Sequence, residues 1–391
     1  MGPEQAMRGF GPSSTTHRVR SDRRVSKQEK PDVEETLEQD RTATRKDEHI
    51  LIAQREDVGF HRTGTLLDGV QFFHDSLPDL DIDAIDTSVQ VMGKRLRIPL
   101  MVAGMTGGTD KARDINKRLA EQVQGYGCAM GLGSQRAMLE QPALSATYEV
   151  RDVAPTMLLF GNIGVIQARD TPTAALREMS ERVGADALCV HMNPAQEVVQ
   201  PEGDRDFRGG LETMGRLQSE LPIPIVAKET GCGVSPRTAQ RLYDMGIRHV
   251  DVSGSGGTSW VAVEMKRARG TKKGLGELLR EWGIPTAASV VYARRVGMET
   301  IVATGGIQTG LDIARAIALG ATIGGMARPV LQALDAKGAQ GVWEVLERIE
   351  RELRAVMLLV GAANVEALRA APKFLSPELR PWLLGESNDR R

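Results

Sequence analysis

From Pro99 onward one pattern recurs eight times: a short apolar, glycine-containing run, a polar or glycine-rich loop, then a stretch of helical period. The runs are Leu100–Gly104, Ala129–Gly133, Met157–Phe160, Ala187–Val190, Ile225–Lys228, His249–Val252, Thr300–Thr304 and Ala321–Met326. Helices are expected between them, for example over Ala112–Tyr126, Ala174–Val183, Pro236–Asp244 and Leu311–Leu319. A strand that is apolar on both faces has to be covered on both, which describes a parallel sheet wrapped by helices. Eight such units close a (β/α)8 TIM barrel. An open doubly wound sheet fits the same alternation. The barrel is preferred because almost every run ends in unusual residues, and barrel sites collect at the C-terminal ends of strands.

The flanks read differently. Residues 1–40 mix Ser, Thr, Arg, Asp and Glu with almost no apolar period, so they bury too little to offset the entropy of ordering and are expected to be a disordered extension. They lack the apolar centre of a secretory signal, and the acidic run Asp32 to Asp40 argues against a transit peptide. Residues 41–98 form a cap and substrate-clamp segment, 99–372 the catalytic barrel, and 373–391 a C-terminal tail that frays from Gly385. Formal net charge is −1, which removes any global attraction to nucleic acid or an anionic membrane. No apolar run approaches a membrane span. Cys128, Cys189 and Cys232 are far apart, each inside or beside an expected strand, and read as buried thiols of a cytoplasmic protein.

The densest chemistry follows the fourth run, in His191-Met192-Asn193-Pro194-Ala195-Gln196-Glu197. An imidazole, two amides and a carboxylate packed so closely are costly to bury without partners, and a site provides partners. Gly104-Met105-Thr106-Gly107-Gly108 after the first run is either a backbone cradle or a plain tight turn. Gly133-Ser134-Gln135-Arg136 gathers three polar donors, and Asn162 either reads a heterocycle edge or caps a turn. Lys228 projects into the barrel mouth as a nucleophile or as a cation facing an electron-rich cofactor, or else pairs with Glu229. The loop Ser253-Gly254-Ser255-Gly256-Gly257-Thr258 offers many N–H and hydroxyl donors. Thr304-Gly305-Gly306-Ile307-Gln308 and Gly324-Gly325-Met326-Ala327-Arg328-Pro329 both place glycines before helix N-termini after the seventh and eighth runs, the usual phosphate site of such barrels. Arg45-Lys46-Asp47-Glu48-His49 is a solvated turn opening a helix or a diphosphate clamp.

With those motifs in place, residues 41–365 resemble the type 2, flavin-dependent isopentenyl-diphosphate isomerases. The resemblance is carried by Arg45-Lys46-x-x-His49, Met105-Thr106-Gly107-Gly108, Gly133-Ser134-Gln135-Arg136, Gly161-Asn162, His191-x-Asn193-x-x-Gln196-Glu197, Pro201-Glu202-Gly203-Asp204, Lys228-Glu229, Ser253-Gly254-x-Gly256-Gly257-Thr258-Ser259-Trp260 and the two phosphate loops. Gln196-Glu197 is the specific part, since the phosphate loops are common to many flavin barrels. The resemblance implies FMN, Mg2+ and an NADPH-reduced flavin, and interconversion of isopentenyl and dimethylallyl diphosphate by a homo-tetramer or octamer. It implies that Gly104, Met105, Thr106, Ser134, Asn162, Lys228, Ser253 and Thr258 hold the flavin ring and ribityl chain, and that Gly306, Gln308, Ala327 and Arg328 hold its phosphate. Arg45, Lys46, His49, Ser134, Arg136, His191, Asn193 and Gln196 then line the diphosphate, Glu197 binds Mg2+, and Gln196, Lys228 and His191 are catalytic, with Lys228 stabilising the anionic reduced flavin and Gln196 orienting the substrate and relaying the second proton. Relatives often carry Arg where Gln308 stands, and Arg328 is expected to supply the missing charge.

Three other readings use the same residues. A 2-hydroxy acid oxidase on the same barrel needs a late-strand His, and no histidine lies beyond His249. A nucleotide dehydrogenase with a cysteine loop has only Cys232 to offer, with nothing clear to activate it. A non-catalytic, metabolite-sensing barrel has no use for Glu197 beside Gln196.

Overall fold

A computed structural model of the chain describes Lys46 and residues 48–384; the expected disordered extension, Arg45 and the segment from Gly385 lie outside the described residues. Eight parallel strands close into a barrel: β1 (Leu100–Val102), β2 (Ala129–Gly131), β3 (Leu158–Gly164), β4 (Ala187–Met192), β5 (Ile225–Glu229), β6 (His249–Asp251), β7 (Thr300–Ala303) and β8 (Ile323–Met326), with β8 pairing back onto β1. Helices such as Asp110–Tyr126, Thr173–Val183, Pro236–Asp244 and Gly310–Leu319 separate the strands. The TIM barrel expected from the recurring pattern is therefore the fold.

Side chains alternate across a strand, so every second residue faces the barrel axis. In the lower part those positions hold Met101, Leu158, Phe160, Cys189, Val226, Val302 and Ile323, which form one interior cluster. Two residues further along, the same inward rows hold Asn162, His191, Lys228 and Thr304. Alternation alone thus carries an apolar floor into a polar mouth. Register sharpens this: His191 pairs with Lys228, and Lys228 with Asp251, so one row across β4, β5 and β6 carries an imidazole, an ammonium and a carboxylate.

The strand ends differ from expectation in both directions: β1, β2 and β7 stop early, at Val102, Gly131 and Ala303, while two strands run on by two residues or more. β3 continues past Phe160 to Gly164, and β4 past Val190 to Met192. The apolar run stops earlier than the strand because the mouth tolerates polar inward residues that a closed core does not.

The floor is sealed from below. Strands Val89–Val91 and Lys94–Leu96 form an antiparallel pair, and Val91 and Leu96 join the interior cluster. The Lys94 ammonium donates to the carbonyls of Thr156 (3.1 Å) and Met157 (3.0 Å) and to Asp186 (2.8 Å), all just ahead of β3 and β4. The opposite end is covered by a helix at 48–55, whose last carbonyls accept hydrogen bonds from the barrel: Arg328 Nε to Ala53 (2.7 Å), Arg328 Nη2 to Glu56 (2.7 Å) and Gln332 Nε2 to Gln54 (3.1 Å). These donors satisfy the orphan carbonyls at a helix C-terminus and favour its negative end. Beyond residue 372, Lys373–Leu375 pairs antiparallel with Val70–Phe72.

Candidate active site

The mouth holds a cavity of about 570 Å³ to which all eight strand ends contribute. That size suits a small-molecule site. Of the residues singled out from sequence, Lys46, His49, Gly104, Met105, Thr106, Ser134, Arg136, Asn162, His191, Asn193, Gln196, Glu197, Lys228, Ser253, Thr258, Gly306, Gln308, Ala327 and Arg328 all line it. Arg45 lies outside the described residues. Backbones approach closely here: a Cβ on Gly104 would sit 2.0 Å from the Leu132 oxygen, and Gly306 has φ +82° with Thr65 Cγ2 2.3 Å from where a Cβ would stand. Only glycine fits either position.

On one side stands the row from β4 to β6. Lys228 Nζ donates to Asp251 (2.8 Å) and to the Glu229 carbonyl (3.1 Å), and Thr304 Oγ1 donates to the other oxygen of Asp251, which is fully buried. Burial disfavours the ammonium, but the Asp251 charge and hydrogen bond outweigh it and hold the Lys228 pKa above its ordinary value. The amine is therefore a fixed cation and not a neutral nucleophile. Its carboxylate partner is Asp251, not Glu229. The Glu229 carboxylate turns to the backbone N–H groups of Thr230 and Cys232, both at 2.6 Å, and burial raises its pKa to about 7.

His191 is held neutral. Burial, and then the Lys228 charge, lower its pKa to about 4. The Asn162 amide donates from Nδ2 to the Leu132 carbonyl (2.9 Å), which turns Oδ1 toward His191 Nδ1 (2.9 Å). With Oδ1 accepting, the proton belongs on Nδ1, and Nε2 is left as a lone-pair acceptor. Gln135, expected among the donors of the second loop, is fully buried and structural: its Oε1 accepts from the Asn162 N–H (2.8 Å) and its Nε2 faces Met138 Sδ (3.2 Å).

The Gln196-Glu197 pair sits in the first turn of helix Pro194–Val199. Glu197 Oε1 accepts from Asn193 Nδ2 (2.8 Å) and its Oε2 from the Asp204 N–H (2.8 Å), which folds the loop after β4 around the carboxylate. Gln196 Nε2 donates to Glu264 Oε1 (3.1 Å). Glu264, from helix Trp260–Arg267, was not anticipated. Its side chain is fully buried and also meets His49 (2.9 Å) and Arg267 (2.7 Å). Burial pushes its pKa up, but His49 and Arg267 outweigh burial and the net shift is downward. Arg267 extends the same network to Glu48 (2.8 Å) and Glu202 (3.0 Å), tying the covering helix and the loop after β4 together. His49 also meets the Trp260 ring edge-on at 5.4 Å. An isolated charge in the apolar row Val261–Met265 is the only sequence signal that would have flagged Glu264.

The phosphate loops have their own detail. Asp312 accepts from the N–H groups of Gln308 (3.1 Å) and Thr309 (3.0 Å), and Glu352 from Gly310 (2.7 Å), so that helix N-terminus is occupied by carboxylates. Helix Arg328–Leu359 starts at Ala327 with no side-chain cap among the described residues, which leaves the first-turn N–H groups other than at Pro329 for a ligand. Arg328, expected to supply the charge absent at Gln308, lines the cavity and donates from Nε and Nη2 to the Ala53 and Glu56 carbonyls, which use two of its five N–H donors.

The donor set fits a flavin nucleotide. Thr106 Oγ1 is buried at the cavity wall with no partner among the described residues, Lys228 supplies a fixed cation, and the strand-eight helix offers open N–H groups. The Cys232 thiol is raised by burial and then by Glu229, which leaves no activated cysteine here. Among the described residues no group of three or more His, Cys, Asp or Glu is arranged for a metal. A magnesium ion would therefore have Glu197 plus ligand oxygens, an ordinary arrangement for that cation.

A closed parallel barrel with this mouth belongs to the flavin-dependent class, and residues 165–373 match the FMN-dependent dehydrogenase family. Solved structures at low identity share the fold: a lactate oxidase of Pediococcus acidilactici (16% identity, TM-score 0.61, 86% of this chain and 94% of that one) and a mandelate oxidase (20%, 0.57, 85% and 98%). Much greater likeness is found to isopentenyl-diphosphate delta-isomerases. That of Thermococcus onnurineus is 46% identical over 355 residues, 88% of this chain and 94% of that protein, and that of a Nostoc species is 41% identical over 338 residues, 85% and 96%. The chain belongs to the isopentenyl-diphosphate delta-isomerase family, in its FMN-dependent type, and is an enzyme.

Proposed function

We propose that this enzyme interconverts isopentenyl and dimethylallyl diphosphate with reduced FMN and Mg2+. The observation that carries the reading is the Gln196-Glu197 pair: one member is tethered to buried Glu264 and the other folded into the loop after β4, both at a mouth that Lys46, His49 and Arg136 also line. When bound, the reduced flavin supplies the proton-transfer chemistry that an allylic shift without net oxidation requires.

The chain's own groups do the rest. Lys228, kept cationic by Asp251, stabilises negative charge at the cavity floor. Lys46, His49, Arg136 and Asn193 would hold the diphosphate, and Glu197 would hold the Mg2+ that neutralises part of its charge. Binding energy gathered at the diphosphate positions the apolar tail, which is far from those charges. His191 presents Nε2 as an acceptor and Gln196 orients the substrate. A neutral amide is a poor acid or base, so Gln196 is assigned orientation before proton relay. NADPH as reductant, assembly as a homo-tetramer or octamer, and cytoplasmic residence complete the reading. Three free cysteines agree with a reducing compartment. No helix among the described residues is long and apolar enough to cross a membrane.

The test is anaerobic incubation with isopentenyl diphosphate, FMN, Mg2+ and NADPH in deuterated water, followed by mass analysis. Deuterated dimethylallyl diphosphate is the expected product. A flavin-loaded protein that yields none, and instead oxidises a 2-hydroxy acid, overturns the reading.

A further inference from the structure

Among the described residues, the cationic side chains lining the cavity are Lys46, Arg136, Lys228, Arg328 and Arg348. Four bond to segments other than the strand-seven loop. Lys46 donates to Tyr148 Oη (2.8 Å), Arg136 pairs with Glu140 (2.6 Å), Lys228 with Asp251, and Arg328 holds the Ala53 and Glu56 carbonyls. Arg348 is different. It rises from helix Arg328–Leu359, well beyond the glycine break at Gly338, and returns to the mouth. Its Nη2 donates to the Gln308 carbonyl (3.0 Å) and its Nη1 to Glu352 (2.8 Å), whose other oxygen accepts from the Gly310 N–H (2.7 Å). A guanidinium has five N–H donors, and these contacts use two.

We infer that Arg348 is the positive charge for the phosphate end of the flavin nucleotide, and that it sets the preference of this cavity for FMN over the phosphate-free flavin. The inference rests on the flavin reading above. Backbone N–H groups at the start of helix Arg328–Leu359 supply neutral donors, and a dianion also calls for a counter-charge. Gln308 carries none. Arg348 reaches the same loop from a distant part of the chain, held in place by its bonds to the Gln308 carbonyl and to Glu352.

Apo-protein titrated with FMN and with riboflavin, followed by quenching of flavin fluorescence, tests this without using turnover. Arg348→Ala is expected to weaken FMN by roughly ten- to a hundredfold, the range for a charge-assisted hydrogen bond, and to leave riboflavin nearly unchanged. Arg348→Gln keeps a donor for the Gln308 carbonyl without charge and should lose the same discrimination. Arg348→Lys should retain most of it. Circular dichroism melting of each variant separates loss of fold from loss of binding, and Arg348→Lys and Arg348→Gln provide the charge comparison if the alanine variant does not fold. Equal weakening of both flavins in the folded variants, or no weakening of FMN, overturns the inference while leaving the flavin reading intact. A wild-type protein that binds neither flavin overturns both.

Discussion

Replacing Asp251 by Asn should destabilise the protein in a way that depends on pH with a definite sign. Asp251 is fully buried and accepts from Lys228 and Thr304, and Lys228 is only 11% exposed in its side chain. In the wild type the Lys228 pKa is raised above its ordinary 10.5. Its contribution to stability is therefore fully present below the unfolded pKa and is lost only as pH rises through the folded value. Asparagine leaves an ammonium buried without a counter-charge, and breaking such a pair costs about 3–5 kcal/mol. The folded pKa then drops below the unfolded one, so the penalty grows as pH falls and shrinks as the amine sheds its proton in alkali. Urea unfolding of Asp251→Asn against wild type near pH 7 and near pH 9.5 should give the larger deficit at the lower pH. Adding Lys228→Met to Asp251→Asn should recover most of the loss, because neither charge remains. A deficit below about 1 kcal/mol, the scale of an exposed pair, or one independent of pH, would refute the argument.

Three further outcomes follow from the geometry. Glu197→Ala should raise the Mg2+ and substrate concentrations needed for half-maximal turnover by roughly ten- to a hundredfold with flavin affinity unchanged; loss of flavin would contradict the assignment. Glu264→Gln keeps an acceptor for Gln196 but removes the charge that holds His49 and Arg267, so kcat/KM should fall by about tenfold or more through KM for the diphosphate, read by steady-state kinetics. Glu229 has a folded pKa raised to about 7 from 4.5 by burial. Its contribution is fully present below the unfolded value and is lost as pH rises through about 7, so stability should decline over that window by up to ~1.4 kcal/mol per pH unit. Denaturation of Glu229→Gln should lack that part of the slope.

The barrel was legible because its cause is local. A strand covered on both faces must be apolar on both, and that pattern recurs along the chain whatever packs against it. The same logic located the mouth, since polar residues at the end of a buried strand have few other places to be, and His191, Asn193, Gln196 and Lys228 are all there. Strand lengths were less legible: Asn162 and His191 interrupt the apolar runs, yet they continue β3 and β4 because the inward row passes from floor to mouth.

Partnership was decided only by the tertiary structure. The one carboxylate weighed for Lys228 from sequence was its neighbour Glu229, but in-register pairing of β5 with β6 delivers Asp251, 23 residues on, to its ammonium. Arg328 was read as a phosphate ligand; it lines the cavity, and a covering helix 275 residues earlier also presents carbonyls to it. Gln135 looked like a donor to the cavity, and the backbone of β3 claims its oxygen. Glu264 and Arg348 lie outside the motifs: Glu264 meets Gln196 and His49, and Arg348 lines the cavity, only because the fold brings segments far apart in the chain together. Sequence by itself determined which kinds of group this protein carries and at which end of its strands. Hydrogen bonds and charge pairs need atoms within about 3 Å, and that distance is set by register and closure between segments far apart in the chain.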